Sequence, residues 1–162
     1  MRFTLILLGL LFSHSTLAGI LSFSLSNSPD SGALVVNIYN DANSFGDLRE
    51  PYQRHRFEIA APDARYTLKG LPPGDYALLI YHDENRNGEL DQNFVGIPRE
   101  PIALSNNYLP KGPPSFSRAS ISVESGGAVH QELTLSRLMG ERGLFSVGMG
   151  TIVRSSPYVD SD

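Results

Sequence analysis

The run Tyr76-Ala77-Leu78-Leu79-Ile80-Tyr81 is apolar on both of its faces. A strand points alternate side chains to opposite sides, so a run with no polar face must be covered twice. A fold of this chain must therefore hold a strand at its centre, with material packed above and below it. The next residues, His82-Asp83-Glu84-Asn85-Arg86-Asn87-Gly88-Glu89-Leu90-Asp91, are as polar as the run is apolar. The central strand delivers the chain directly into an acidic loop.

The other apolar runs are also of β type. Ile20 to Leu25 and Leu34 to Tyr39 flank a turn cluster of Ser, Asn, Pro, Asp and Gly. In the second run Leu34, Val36 and Ile38 share one face, while Val35 and Tyr39 lie on the other with Asn37 between them. Asp41 to Arg54 is polar, carries Gly46 and Pro51, and reads as a loop. Phe57 and Ile59 mark a short strand that Pro62-Asp63 ends, and Tyr66-Thr67-Leu68 another. Pro73-Gly74 fits the centre of a type II turn, since Pro presets φ and Gly accepts φ > 0. Ile97 to Phe116 holds five prolines and reads as a long surface loop. Ser117 to Glu124 and Ala128 to Leu135 alternate and are joined by Ser125-Gly126-Gly127, which suggests a hairpin. No helix is expected outside the N-terminus. The sum is an antiparallel β-sandwich of about seven strands, a size typical of immunoglobulin-like domains.

Two compositional facts narrow the setting. The chain has no cysteine among its 162 residues, which excludes disulfides, thiolate metal sites and Cys nucleophiles. Its net charge of -4 argues against a phosphate-binding surface and so against nucleic acid. Residues 1 to 18 read as a secretory signal: Arg2, an apolar core from Phe3 to Phe12, and Thr16-Leu17-Ala18 as the cleavage site. That expectation places the mature protein in the periplasm or outside the cell, with residues 19–138 as the folded domain and 139–162 as a tail.

The acidic loop carries the chemistry. Ca²⁺ takes 6–8 oxygen ligands, so a loop that binds it must turn sharply and aim several oxygens at one point. Asp83, Asn85 and Asn87 occupy the first, third and fifth positions of the D-x-[DN]-x-[DN]-G pattern, with Gly88 at the bend. The Glu89 carbonyl and the Asp91 side chain complete the expected set. Phe94 stands where an EF-hand has its bidentate Glu, so the loop is not an EF-hand. The plain alternative is a type I′ hairpin turn at Asn87-Gly88. His82 is expected to pack or hydrogen-bond at the strand end, because Ca²⁺ prefers oxygen, while His55 and His130 are isolated in the sequence. No G-x-S-x-G elbow or comparable nucleophile setting occurs, so no catalytic residues are assigned. A hydrolase using acids of the loop stands as an alternative.

An ordered series of motifs points to a family. Leu71-Pro72-Pro73-Gly74-Asp75-Tyr76-Ala77, His82 to Asp91, Gly96-Ile97-Pro98-Arg99-Glu100, Ser105-Asn106-Asn107 and Pro113-Pro114-Ser115-Phe116 occur in that order. Together they resemble the exported bacterial family catalogued as domain of unknown function 2141, over Leu34 to Leu135. The resemblance implies a prealbumin-like or immunoglobulin-like sandwich and no assigned activity. The tail, Phe145-Ser146-Val147-Gly148-Met149-Gly150 with Ser156-Pro157-Tyr158, is similar to the opening of outer-membrane barrels of the MltA-interacting/OmpV type. The leading expectation is a non-catalytic exported domain with a structural Ca²⁺ loop, binding an envelope protein or glycan. The alternative is a periplasmic appendage associated with an outer-membrane barrel.

Overall fold

The doubly apolar run forms the middle of the longest strand, Gly74–Asp83, and every other part of the fold is placed by it. The computed structural model describes residues 17–138, which are nearly all β, with eight strands in two sheets. In chain order the strands are β1 Gly19–Leu25, β2 Ala33–Tyr39, β3 Gln53–Glu58, β4 Tyr66–Leu71, β5 Gly74–Asp83, β6 Ile102–Leu104, β7 Ile121–Val123 and β8 Ala128–Leu133. One sheet has the order β4-β1-β8; the other runs β3-β2-β5-β6, with β7 also paired to β5. Strand β5 is long enough to hold two short partners along one edge. Its first residues pair with β7 (Gly74 opposite Val123) and its later ones with β6 (Leu79 opposite Leu104).

Alternation sorts the side chains of β2 and β5 as their sequence requires. Leu34, Val36, Ile38, Leu78 and Ile80 join Leu21, Phe23, Leu68 and Leu133 of the smaller sheet in one cluster between the layers. Phe23 stacks on Tyr66 there, with ring centroids 5.1 Å apart. The opposite faces of the same two strands, Val35, Tyr39, Leu79 and Tyr81, form a second cluster with Phe45, Leu90, Ile102 and Leu104. Loops cover that second face. Tyr39 donates its hydroxyl to the Asp47 carbonyl at 3.0 Å, and Tyr81 donates to the Gly88 carbonyl at 2.8 Å. Burial pushes both hydroxyl pKa values up to about 12.

Several expectations are corrected. The pairing is not wholly antiparallel, because β8 lies parallel to β1, with Ile20 opposite Ala128 and Leu25 opposite Leu133. For the same reason residues 117–135 are not a hairpin. The turn at Ser125-Gly126-Gly127, where Gly126 has φ 66°, carries the chain from β7 in one sheet to β8 in the other. Residues Phe116–Ala119 form a short helix, α1, where none was expected. Pro73-Gly74 is not a type II turn, since the positive φ falls at Gly70, at 78°, and not at Gly74. Strands β4 and β5 belong to different sheets, so no tight reversal has to close between them. The Pro-rich stretch after Ile97 is not all loop: Ile102–Leu104 pairs with β5. The polar stretch Gln53-Arg54-His55-Arg56 is the start of β3, an edge strand whose outward residues remain polar.

Candidate functional site

The acidic loop leaves the end of β5, and its first residue is drawn inside the fold. Asp83 is fully buried, opposite Ala33 in the β2 register. Its Oδ2 accepts hydrogen bonds from the Arg56 guanidinium at 2.5 Å and from the Gly88 backbone N–H at 3.0 Å. Its Oδ1 is buried with no hydrogen-bond partner. Leaving a buried carboxylate oxygen unmatched is costly, so it marks a place where a donor or a cation would be favourable.

Gly88 sits at the bend with φ 80°, as the spacing requires. Asn87 does not take positive φ; Arg86 does, at 63°, so a type I′ turn at Asn87-Gly88 is not formed. Instead each Asn side chain folds back onto the backbone. The Asn85 Oδ1 accepts the Asn87 N–H at 3.0 Å, and the Asn87 Oδ1 accepts the Glu89 N–H at 2.8 Å. Both side-chain amides donate to Asp91, at 2.7 Å and 3.3 Å. The loop thus brings Asp91 to Asn85 and Asn87, and Asp83 to Gly88, while the Glu89 side chain stays exposed.

One residue outside the motif closes the loop. Glu100 is 3% exposed, and its two carboxylate oxygens accept the backbone N–H groups of Glu84 at 2.9 Å and Asp91 at 3.2 Å. Burial raises its pKa, the two N–H groups oppose that shift, and the fields of Asp91 and Asp83 add to it. Metal-loop spacing does not pick out Glu100; the only signal for it was its place in the Gly96–Glu100 motif of the family series. Arg56 was missed because it lies 27 residues from Asp83 and is brought there by the β2–β3 pairing. A salt link from Arg137 to Glu84 ties the far side of the loop to the chain after β8.

Among the described residues, no group of three His, Cys, Asp or Glu side chains is arranged to hold a metal ion. A cation bound here would therefore draw on amide and carbonyl oxygens as well as Asp83 and Asp91. That mixed set is the kind Ca²⁺ accepts. His82 is buried at the strand end with Nε2 2.7 Å from the Ser31 carbonyl, the packing role its position suggests. His130 is isolated in sequence but not in the fold. Its ring lies between Ser22 Oγ, at 3.0 Å from Nδ1, and Ser24 Oγ, at 3.2 Å from Nε2.

Fold and site define a class: a nearly all-β, two-sheet protein with an acidic, Asn-rich loop rooted on a buried aspartate. The family model described as uncharacterized protein conserved in bacteria (DUF2141) matches residues 26–131, and the chain belongs to that family. The match runs from the turn after β1 into β8 and contains the whole acidic loop. No curated protein and no solved structure matches the chain. The tail that is similar to a barrel strand lies outside the described residues.

Proposed function

We propose that the protein is a non-catalytic, exported β-sandwich of prealbumin-like or immunoglobulin-like type, whose Asp83–Asp91 loop holds a structural Ca²⁺. Its role is binding or scaffolding at the cell envelope, toward an envelope protein or glycan. The observation that carries the metal reading is the Asp83 Oδ1, an acceptor sealed in the fold without a donor. Asn85, Asn87 and Asp91 supply side-chain oxygens and Glu89 its carbonyl. Arg56 limits the affinity, because a guanidinium already neutralises one face of Asp83. Bound Ca²⁺ would also offset the Asp91 and Asp83 fields that add to the rise in the Glu100 pKa caused chiefly by burial. Export is supported by the signal-like N-terminus.

Thermal unfolding in Ca²⁺ against excess chelator tests this reading. A ligand held only by the native state adds about 2.7 kcal/mol at a hundredfold excess over its Kd. The expected result is a clear rise in Tm with Ca²⁺ that Asp83→Asn abolishes, the variant still unfolding cooperatively in chelator. An equal Tm in Ca²⁺ and chelator for the unaltered protein would overturn it.

A further inference from the structure

The loop-covered face of the larger sheet does not close completely. A cavity of about 610 Å³ remains over Leu79, Ile102 and Leu104, lined also by Leu90, Ile97 and the Pro110–Pro114 segment. That volume falls within the range of small-molecule sites, about 300–1,000 Å³. Lys111 is the one charged residue among those lining it. No carboxylate residue is among the described residues that line the cavity, and Lys111, itself exposed, makes no hydrogen bond or ion pair with any described residue.

We propose that this cavity binds a single-chain amphiphile with a carboxylate head, a free fatty acid, with its chain over Leu79, Ile102 and Leu104 and its head at Lys111. An apolar floor rewards burial of a hydrocarbon chain in proportion to its area. An unmatched ammonium at the wall selects an anionic head and disfavours a cationic one. Gln92 is the other lining residue whose side chain can hydrogen-bond such a head. The size suits one acyl chain. The site does not require a metal, although Leu90 of the Asp83–Asp91 loop, and Val95 and Ile97 of the segment after it, form part of its wall.

Isothermal titration of the purified protein with dodecanoate, below its micelle concentration, tests the proposal in Ca²⁺ and in chelator. Dodecyltrimethylammonium serves as the cationic counterpart. The expected result is one dodecanoate per chain in at least one of the two conditions, with weaker uptake of the cation. Lys111→Glu should lower dodecanoate affinity about tenfold or more, because reversing the charge sets like charges together. Lys69→Glu, at an exposed position of β4, should leave it unchanged. Ile97→Trp, which adds bulk to the wall, should also reduce uptake, and unfolding curves establish that each variant folds. No dodecanoate uptake in either condition overturns the proposal. Equal losses from Lys111→Glu and Lys69→Glu, or equal binding of both surfactants, also overturn it by showing nonspecific adsorption. Self-association in place of uptake would assign the face to a second copy of the chain, and that too overturns it.

Discussion

The two faces of β2 and β5 are built from the same strands but are covered by different means. The inner face meets the sheet β4-β1-β8, and its contacts are Leu, Val, Ile, Phe and Tyr against their like. The outer face meets loops, and it carries polar handles: the Tyr39 and Tyr81 hydroxyls and Asn37, whose Oδ1 accepts the Arg54 Nε at 2.7 Å. A sheet presents a regular array of side chains that can interdigitate with another. A loop must have its backbone groups satisfied before it can cover anything. The inner face therefore packs closed, whereas the outer face is fastened at a few points and leaves a cavity between them.

Neighbouring leucines give the strongest test of this contrast. Leu78 points inward and is fully buried, while Leu79 points outward and lines the cavity. Leu78→Ala should cost about 3–5 kcal/mol and Leu79→Ala nearer 2, because truncation beside existing space removes fewer contacts. Equal losses in denaturant unfolding would break the comparison.

Next in size is the fastening of the acidic loop. Glu100→Ala should cost about 2–4 kcal/mol, since two backbone N–H groups lose a carboxylate acceptor. Hydrogen exchange at Glu84 and Asp91 should quicken more than exchange in β1 or β4.

Alkaline pH should then act on the outer face. Tyr39 and Tyr81 have folded pKa values raised by burial from 10.0 to about 12, so the folded state holds their protons more tightly than the unfolded state. Their contribution is complete below about pH 10 and is lost as pH rises toward 12, amounting to about 2–3 kcal/mol for the pair by pH 11. Tyr81→Phe should flatten part of that fall, at the expense of about 1 kcal/mol at neutral pH for the lost bond to Gly88. An unchanged pH slope in this variant would show that the hydroxyl is not a fastening.

The smallest effect belongs to the exposed charges beside the loop. Glu58 pairs with Arg86 at 3.4 Å and with Arg56 at 3.8 Å, all three side chains substantially solvated. Glu58→Gln should change stability by less than about 0.5 kcal/mol. A larger loss would mean that Glu58 positions Arg56 on Asp83.

What could be read in the sequence follows the same division. The inner face was legible because Leu34, Val36 and Ile38 repeat with the period of a strand. The doubly covered character of β5 was legible because Ala77 to Tyr81 contains no polar residue. Strand β6 was hidden, because three residues among prolines show no period. The β1–β8 pairing was hidden as well, since local turn chemistry at Gly126-Gly127 says that the chain reverses but not which strand it then meets. At the site, the spacing located Asp83 and the Gly88 bend, both local features. Arg56 and Glu100 reach the loop through strand pairing and chain return, and neither leaves a mark in the spacing.

The parallel contact of β1 with β8 also has a mechanical consequence. The described fold enters at one end of this pair and leaves at the other. Tension applied between those two points slides the strands along each other instead of peeling them apart. The cross-strand hydrogen bonds that join Ile20–Leu25 to Ala128–Leu133 then share the load at once, so the pair would hold as a clasp.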